Sequence, residues 1–222
     1  MLSKVETTKS VDGEEISFFE LKSNDKNAQN VFILGVFHGD EPEGEYIIKK
    51  LMAEVDSLNS KYNLYFLPCL NPDGKKLNRR TNFNDVDLNR NYPTKNFQEQ
   101  STHFDGRIFS AGSVCASEPE TKFMISLIDK YKPVKILSIH ADLHLVDYDG
   151  PAKEIAAKYA ILCGYRLVDE IGYATLGSFG TWAGRERGIP VITLETWGAK
   201  SEEDFEQIWQ ENRIALYNFI NE

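Results

Sequence analysis

Residues 31–44 read VFILGVFHGDEPEG: a nearly unbroken apolar run, then His38 and Glu41 three positions apart among Gly, Pro and acidic residues. A short apolar run bounded by turn residues is the pattern of a strand buried on both faces of a parallel sheet. The Gly and Pro that follow make a turn. A turn has no need of an imidazole or of a carboxylate at that spacing, whereas a metal site uses both.

The same pattern recurs outward from this stretch. Residues 16–21 (ISFFEL), 62–69 (YNLYFLPC), 134–140 (VKILSIH) and 190–195 (PVITLE) read as further strands. Residues 43–57 predict an amphipathic helix, with Tyr46, Ile47, Leu51 and Val55 at helical spacing. A second helix is expected from near 117 to 131, with Ser117 as N-cap, Glu120 completing a capping box, and Pro133 beyond its end. Residues 151–163 and 202–220 complete the set. Strands alternating with helices predict an α/β fold with helices on the sheet faces. Such sheets bind ligands at the carboxyl ends of their strands, where His38, His140 and Glu195 all fall. Between them, residues 71–116 form a long polar passage, a type of segment that is either functional or disordered.

Length and composition narrow the class. A chain of 222 residues predicts one domain, 1–222, with a sizeable core. The net charge of −9 argues against a nucleic-acid partner. No run approaches the roughly 18 apolar residues of a membrane span. The N-terminal MLSKVETTKSVDGEE lacks the apolar core of a signal peptide. Three scattered cysteines, an odd number, do not suggest a disulfide framework. The expectation is a soluble protein of a reducing cytoplasm.

Catalytic zinc sites take three protein ligands and leave a position open. His38 and Glu41 offer two, and of the four histidines His140, at a strand end, is the natural third. Singly, either histidine reads as well as a polar residue capping a strand; with Glu41 the set favours a metal. Glu195 ends an apolar strand and is either a buried acid paired with a cation or, beside a metal, a general base. Arg79, Arg80 and Arg90 form either a solvated basic loop or an anion site whose guanidinium forks bind carboxylates.

Taken in order, HGDE (38–41), NPDG (71–74), RTNFNDVDLNRNYP (80–93), SIH (138–140), GSFGTWAG (177–184) and ITLE (192–195) resemble the M14 family of zinc carboxypeptidases. The matches span about three quarters of the chain and are most similar to the bacterial murein peptide amidase branch, which cuts the γ-D-glutamyl–diaminopimelate bond. The resemblance implies a mixed, largely parallel twisted sheet with helices on both faces, in three layers. It implies one zinc per chain on His38, Glu41 and His140, with Asp87 orienting the first histidine. Arg80 would polarise the scissile carbonyl, Asn89 and Arg90 would clamp the substrate's terminal carboxylate, and Glu195 would be the general base. Tyr173 stands where the family often has a tyrosine that closes over the substrate. The partner implied is a small peptide with a free C-terminal carboxylate.

The chain departs from the pattern in places. Asp85 replaces a common glycine and adds negative charge near the arginines. Thr196 and Trp197 follow ITLE where an apolar-Pro pair is expected. Asp142 and His144 would share a strand face with His140 if extended, as groups that support the metal ligands or read the substrate, or as solvated residues at a strand end. The base of the side-chain pocket falls near Gly180 and carries no charge. The leading expectation is a peptidase releasing diaminopimelate from a murein peptide. The runner-up is a deacylase of small N-acyl amino acids of the aspartoacylase or succinylglutamate desuccinylase type, or a carboxypeptidase on other peptides. A non-catalytic binding module is a third reading, against which an intact Glu195 argues.

Overall fold

The computed structural model describes residues 1–54, 60–103, 105–169 and 171–222. In chain order the elements are β1 (Ser3–Lys9), β2 (Glu15–Leu21), β3 (Asn30–Gly35), α1 (Glu43–Glu54), β4 (Asn63–Leu67) and α2 (Pro72–Lys76). A 3-10 turn (Leu88–Arg90), β5 (Gln100–Thr102), β6 (Ile108–Ser110), α3 (Pro119–Tyr131), β7 (Lys135–Ala141) and β8 (Leu145–Asp149) follow. The chain ends with α4 (Lys153–Cys163), β9 (Arg166–Leu167), a π-helical turn (Gly180–Arg185), β10 (Val191–Thr196) and α5 (Glu202–Asn221). The end of the helix expected at 43–57, Val55 included, lies outside the described residues.

Eight strands form one mixed sheet in the order β1-β2-β4-β3-β7-β10-β8-β9. Its centre, β4-β3-β7-β10, is parallel, while the β1–β2, β2–β4 and β10–β8 pairings are antiparallel. Alternation within the central strands divides the core. In β3, Val31 and Ile33 pack with Ile47, Ile48 and Leu51 of α1 and with Trp209 and Leu216 of α5. Phe32 and Leu34 face the other way, toward Met124, Leu127 and Ile128 of α3. Strands clothed on both faces need apolar residues at every position, which is why β3 and β7 read as continuous runs. The result is three layers, with α1, α4 and α5 on one side and α3 on the other.

The helix ends show one correction. Ser117 and Glu120 do not make the expected capping box: α3 begins at Pro119, with Glu118 as its N-cap. Proline is preorganised for the first helical position and lacks the N–H that would need a cap. Ser117 instead donates to Glu118 Oε1 at 2.6 Å, and Glu120 Oε1 accepts from the Val11 amide at 3.2 Å. A capping box does form at α5, where Ser201 and Asp204 exchange hydrogen bonds with each other's backbone amides. No helix among the described residues is long and apolar enough to cross a membrane.

Candidate metal centre and catalytic cleft

β3 ends at Gly35, and three residues later His38 enters the turn that leads into α1. The turn packs backbone against backbone on the loop that begins α2. Asn71 caps that helix by accepting from the Gly74 amide at 2.9 Å, and its Nδ2 donates to the carbonyls of Phe37 and Arg80, both at 3.2 Å. A methyl group at Gly39 would overlap the main chain of Gly74 and Lys75. Gly39→Ala must therefore move one of the two loops. It is expected to destabilise the fold by about 1–3 kcal/mol, measurable by urea unfolding, and to displace His38.

His38, Glu41 and His140 are all buried and offer ligand atoms within 4.8 Å of one another. Glu41 Oε1 lies 2.7 Å from His38 Nδ1, Glu41 Oε2 lies 2.8 Å from His140 Nδ1, and the two Nδ1 atoms are 3.2 Å apart. The opposite nitrogen of His38, Nε2, faces Asp87 Oδ1 at 3.2 Å. An ionised carboxylate only accepts, so with a cation held on Nδ1 the His38 proton sits on Nε2 and is donated to Asp87. A lone pair and a carboxylate oxygen then converge with a second imidazole nitrogen on one buried point, an arrangement completed by a cation. The donor set, two histidines and a glutamate, suits zinc, which these three residues would hold.

Asp87 ties the centre to the arginine segment. It caps the 3-10 turn through the Asn89 amide at 2.9 Å and accepts from Arg80 Nε at 2.8 Å. Burial opposes its charge, but Arg80, His38 and Arg90 hold its carboxyl well below the usual range. Asp87→Asn keeps the shape and loses that charge and the fixed tautomer. A 10–100-fold loss in metal affinity, of the order seen when such supporting carboxylates are removed, is expected in chelator competition.

The other residues singled out by sequence surround the same cleft, about 420 Å³ in volume. Arg80 Nη1 lies 3.5 Å from Glu41 Oε1. Arg90 is held by Ser101 Oγ at 3.1 Å and by the Asn89 carbonyl at 2.7 Å. Asn89 lines the cleft, and its Oδ1 accepts from the Phe179 amide at 2.9 Å, holding the segment that leads to the π-helical turn. Tyr173 lines the cleft against the His103 ring. Glu195 stands on β10 opposite His140 on β7. Among the described residues its buried Oε2 has no hydrogen-bond partner, and burial together with the Glu41 charge pushes its carboxyl well above the usual range. Among the described residues it forms no ion pair, unlike an acid neutralised by a paired cation.

Some expectations need correction. Arg79 does not join the cleft: it pairs with Asp85 at 2.6 Å, so the unexpected acid is taken up at the surface. Asp142 and His144 are not extended along one strand face. β7 ends at Ala141 and His144 has a φ of 54°, so Asp142 reaches the cleft while the His144 ring packs on Tyr165. Thr196 and Trp197 have structural partners, the His140 carbonyl and Glu211 respectively. The pocket near Gly180 is not free of charge, because Asp149 of β8 fills the space a side chain there would occupy. Sequence reasoning missed Ser138, Asp147 and Thr193, which also line the cleft. Their signal was the sheet register, which a single sequence does not display.

The zinc carboxypeptidase family model matches residues 1–215. Murein peptide amidase A of Vibrio campbellii is 32% identical over 196 residues, covering 84% of this chain and 76% of that protein. Its counterpart in Escherichia coli K12 is 31% identical over 183 residues, covering 79% and 74%. Among solved structures, murein-tripeptide amidase of Escherichia coli O157 superposes with a TM-score of 0.77 at 23% identity, covering 96% of this chain and 90% of that one. Thrombin-activatable fibrinolysis inhibitor gives 0.83 at 16% identity, over 99% and 68%. These two likenesses describe the shared fold. This chain belongs to the zinc carboxypeptidase family, and is a hydrolase of that family.

Proposed function

We propose that this protein is a murein peptide amidase that hydrolyses the γ-D-Glu–meso-diaminopimelate bond of free wall tripeptide, with one zinc per chain on His38, Glu41 and His140. The observation that carries the reading is the convergence, in one cleft, of the candidate metal triad, two arginines and a buried glutamate whose Oε2 has no hydrogen-bond partner among the described residues. The names of two similar amidases supply the murein peptide as substrate class, and the bond cut is the one the family resemblance of the sequence implies. A cleft of about 420 Å³ is in the range for a small ligand rather than a polymer. That size favours recycling of free peptides over cutting of the intact wall. Residues 1–222 act in this reading as one catalytic domain.

Zinc, when bound, supplies the Lewis acidity that activates water and polarises the scissile carbonyl. The remaining roles belong to the chain. Arg90 and Asn89 hold the free carboxylate of the leaving residue, and so fix which bond is presented. Arg80, held by Asp87, keeps its guanidinium beside the metal triad, where negative charge develops on the carbonyl oxygen. Glu195 takes the proton of the attacking water and returns it to the leaving amine. A carboxyl with a raised pKa suits the second step, since it holds the proton long enough to deliver it. Tyr173 covers the bound peptide and limits access of bulk water.

The test is a substrate panel offered to zinc-loaded protein: L-Ala-γ-D-Glu-meso-diaminopimelate, N-acetylaspartate and N-succinylglutamate. Preferential release of diaminopimelate is expected. Turnover of the N-acyl amino acids without release of diaminopimelate would make the protein a deacylase on the same fold, and peptide binding without any hydrolysis would make it a binding module.

A further inference from the structure

The sheet register aligns a second row of polar residues beneath the catalytic one. Glu195 on β10 pairs with His140 on β7 and Leu145 on β8. Two residues earlier, Thr193 pairs with Ser138 on β7 and with Asp147 on β8. Paired residues on neighbouring strands share a face, and two residues along a strand is about 6.7 Å. Ser138, Thr193 and Asp147 all line the cleft, so they form a floor one step below the reacting groups.

Two members of this floor are unsatisfied. Ser138 is 3% exposed, yet among the described residues its Oγ has no hydrogen-bond partner, and Asp147 Oδ1 is likewise buried without one. Buried polar groups are ordinarily paired. Two exceptions in one row, on either side of Thr193 and facing a cleft that opens on the catalytic glutamate, mark a place prepared for a ligand. Nor is Asp147 neutralised: among the described residues it forms no ion pair, whereas Asp149 two residues on is bound by Arg185. Asp149 closes the bottom of the pocket against Gly180 and Gly184, where any Cβ would overlap it. Burial and the Asp149 charge push the Asp147 carboxyl up to about 7, a penalty on its charged form that an incoming cation would relieve.

We infer that Ser138, Thr193 and Asp147 bind the ammonium group at the far end of the leaving residue's side chain, making the cleft selective for a C-terminal diamino acid. A carboxylate and two hydroxyls offer acceptors to the three donors of an ammonium. A side chain of three methylenes ending in an amine-bearing carbon spans the step from the catalytic row to the floor. This deepens the amidase reading and rests on it. Asp147 is a specificity residue and takes no part in bond cleavage.

The test compares zinc-loaded wild type with Asp147→Asn on L-Ala-γ-D-Glu-X, where X is meso-diaminopimelate, lysine or 2-aminopimelate. The last differs from diaminopimelate only in lacking the distal amine. Wild type is expected to favour diaminopimelate over 2-aminopimelate by about 100-fold in kcat/KM. Asp147→Asn should remove most of that preference, chiefly through KM, and lower lysine release in parallel while leaving 2-aminopimelate within about three-fold. Ser138→Ala should show the same pattern more weakly. If wild type releases diaminopimelate and 2-aminopimelate equally well, or Asp147→Asn slows both by the same factor, the inference fails while the amidase reading stands. If wild type releases neither and turns over N-acyl amino acids instead, the amidase reading fails and takes the inference with it. The wild-type comparison decides the matter even if the variant does not fold.

Discussion

Glu195→Gln is expected to leave a folded, zinc-loaded protein whose kcat is lower by about 1000-fold or more. The substitution keeps the size of the side chain and removes only its ability to take and return a proton. Glu195 lies outside the group of atoms that converge on the metal position, so the zinc content should not change. Among the described residues Oε2 has no hydrogen-bond partner, so none is lost at that atom. In the metal-free protein burial and the Glu41 charge raise its pKa, so there the amide also relieves the cost of a buried carboxylate, and a melting temperature equal to or above that of metal-free wild type is expected. Metal analysis, a melting curve and steady-state rates on the tripeptide check the three parts separately. Turnover close to wild type would remove Glu195 from the proton path.

His140→Ala has the second large effect, and a different signature. His140 is buried on the central strand β7 and meets both Glu41 and His38. Without it the remaining donors, one imidazole and one carboxylate, hold zinc too weakly for stoichiometric loading. Activity should fall below detection. Zinc at 1000 times its dissociation constant stabilises the folded state by about 4 kcal/mol, which for a chain of this size is a melting shift on the order of 10 °C. A chelator should therefore lower the melting temperature of wild type by about that amount and leave His140→Ala unchanged. Equal chelator responses in the two proteins would place the metal elsewhere.

How much of this was legible in the sequence follows from where the information resides. β3, β7 and β10 are clothed on both faces, so their apolar runs announce them, and the residues that end them mark the rim of the site. β1, with the sequence SKVETTK, is a largely exposed edge strand and shows no such run. β8 was missed for the opposite reason. Its core-facing residues Val146 and Tyr148 alternate with Asp147 and Asp149, which face the cleft, so the functional face erased the apolar signal. The spacing of His38 and Glu41 is local, and a strand end was enough to suggest His140. By contrast, the row of Ser138, Thr193 and Asp147 exists only through pairing between strands more than forty positions apart in the case of β7 and β10. Arg79 and Arg80 are adjacent in sequence yet point to different partners, Asp85 at the surface and Asp87 in the cleft. Composition could not separate them, because the distinction is set by the turn that follows α2.

The measurement that bears most directly on the central claim is release of free diaminopimelate from L-Ala-γ-D-Glu-meso-diaminopimelate by the purified protein, before and after zinc removal and after zinc is restored. Release that stops on chelation and returns with one equivalent of zinc is the predicted result. Release that persists in metal-free protein, or none from protein shown to hold one zinc, would contradict it.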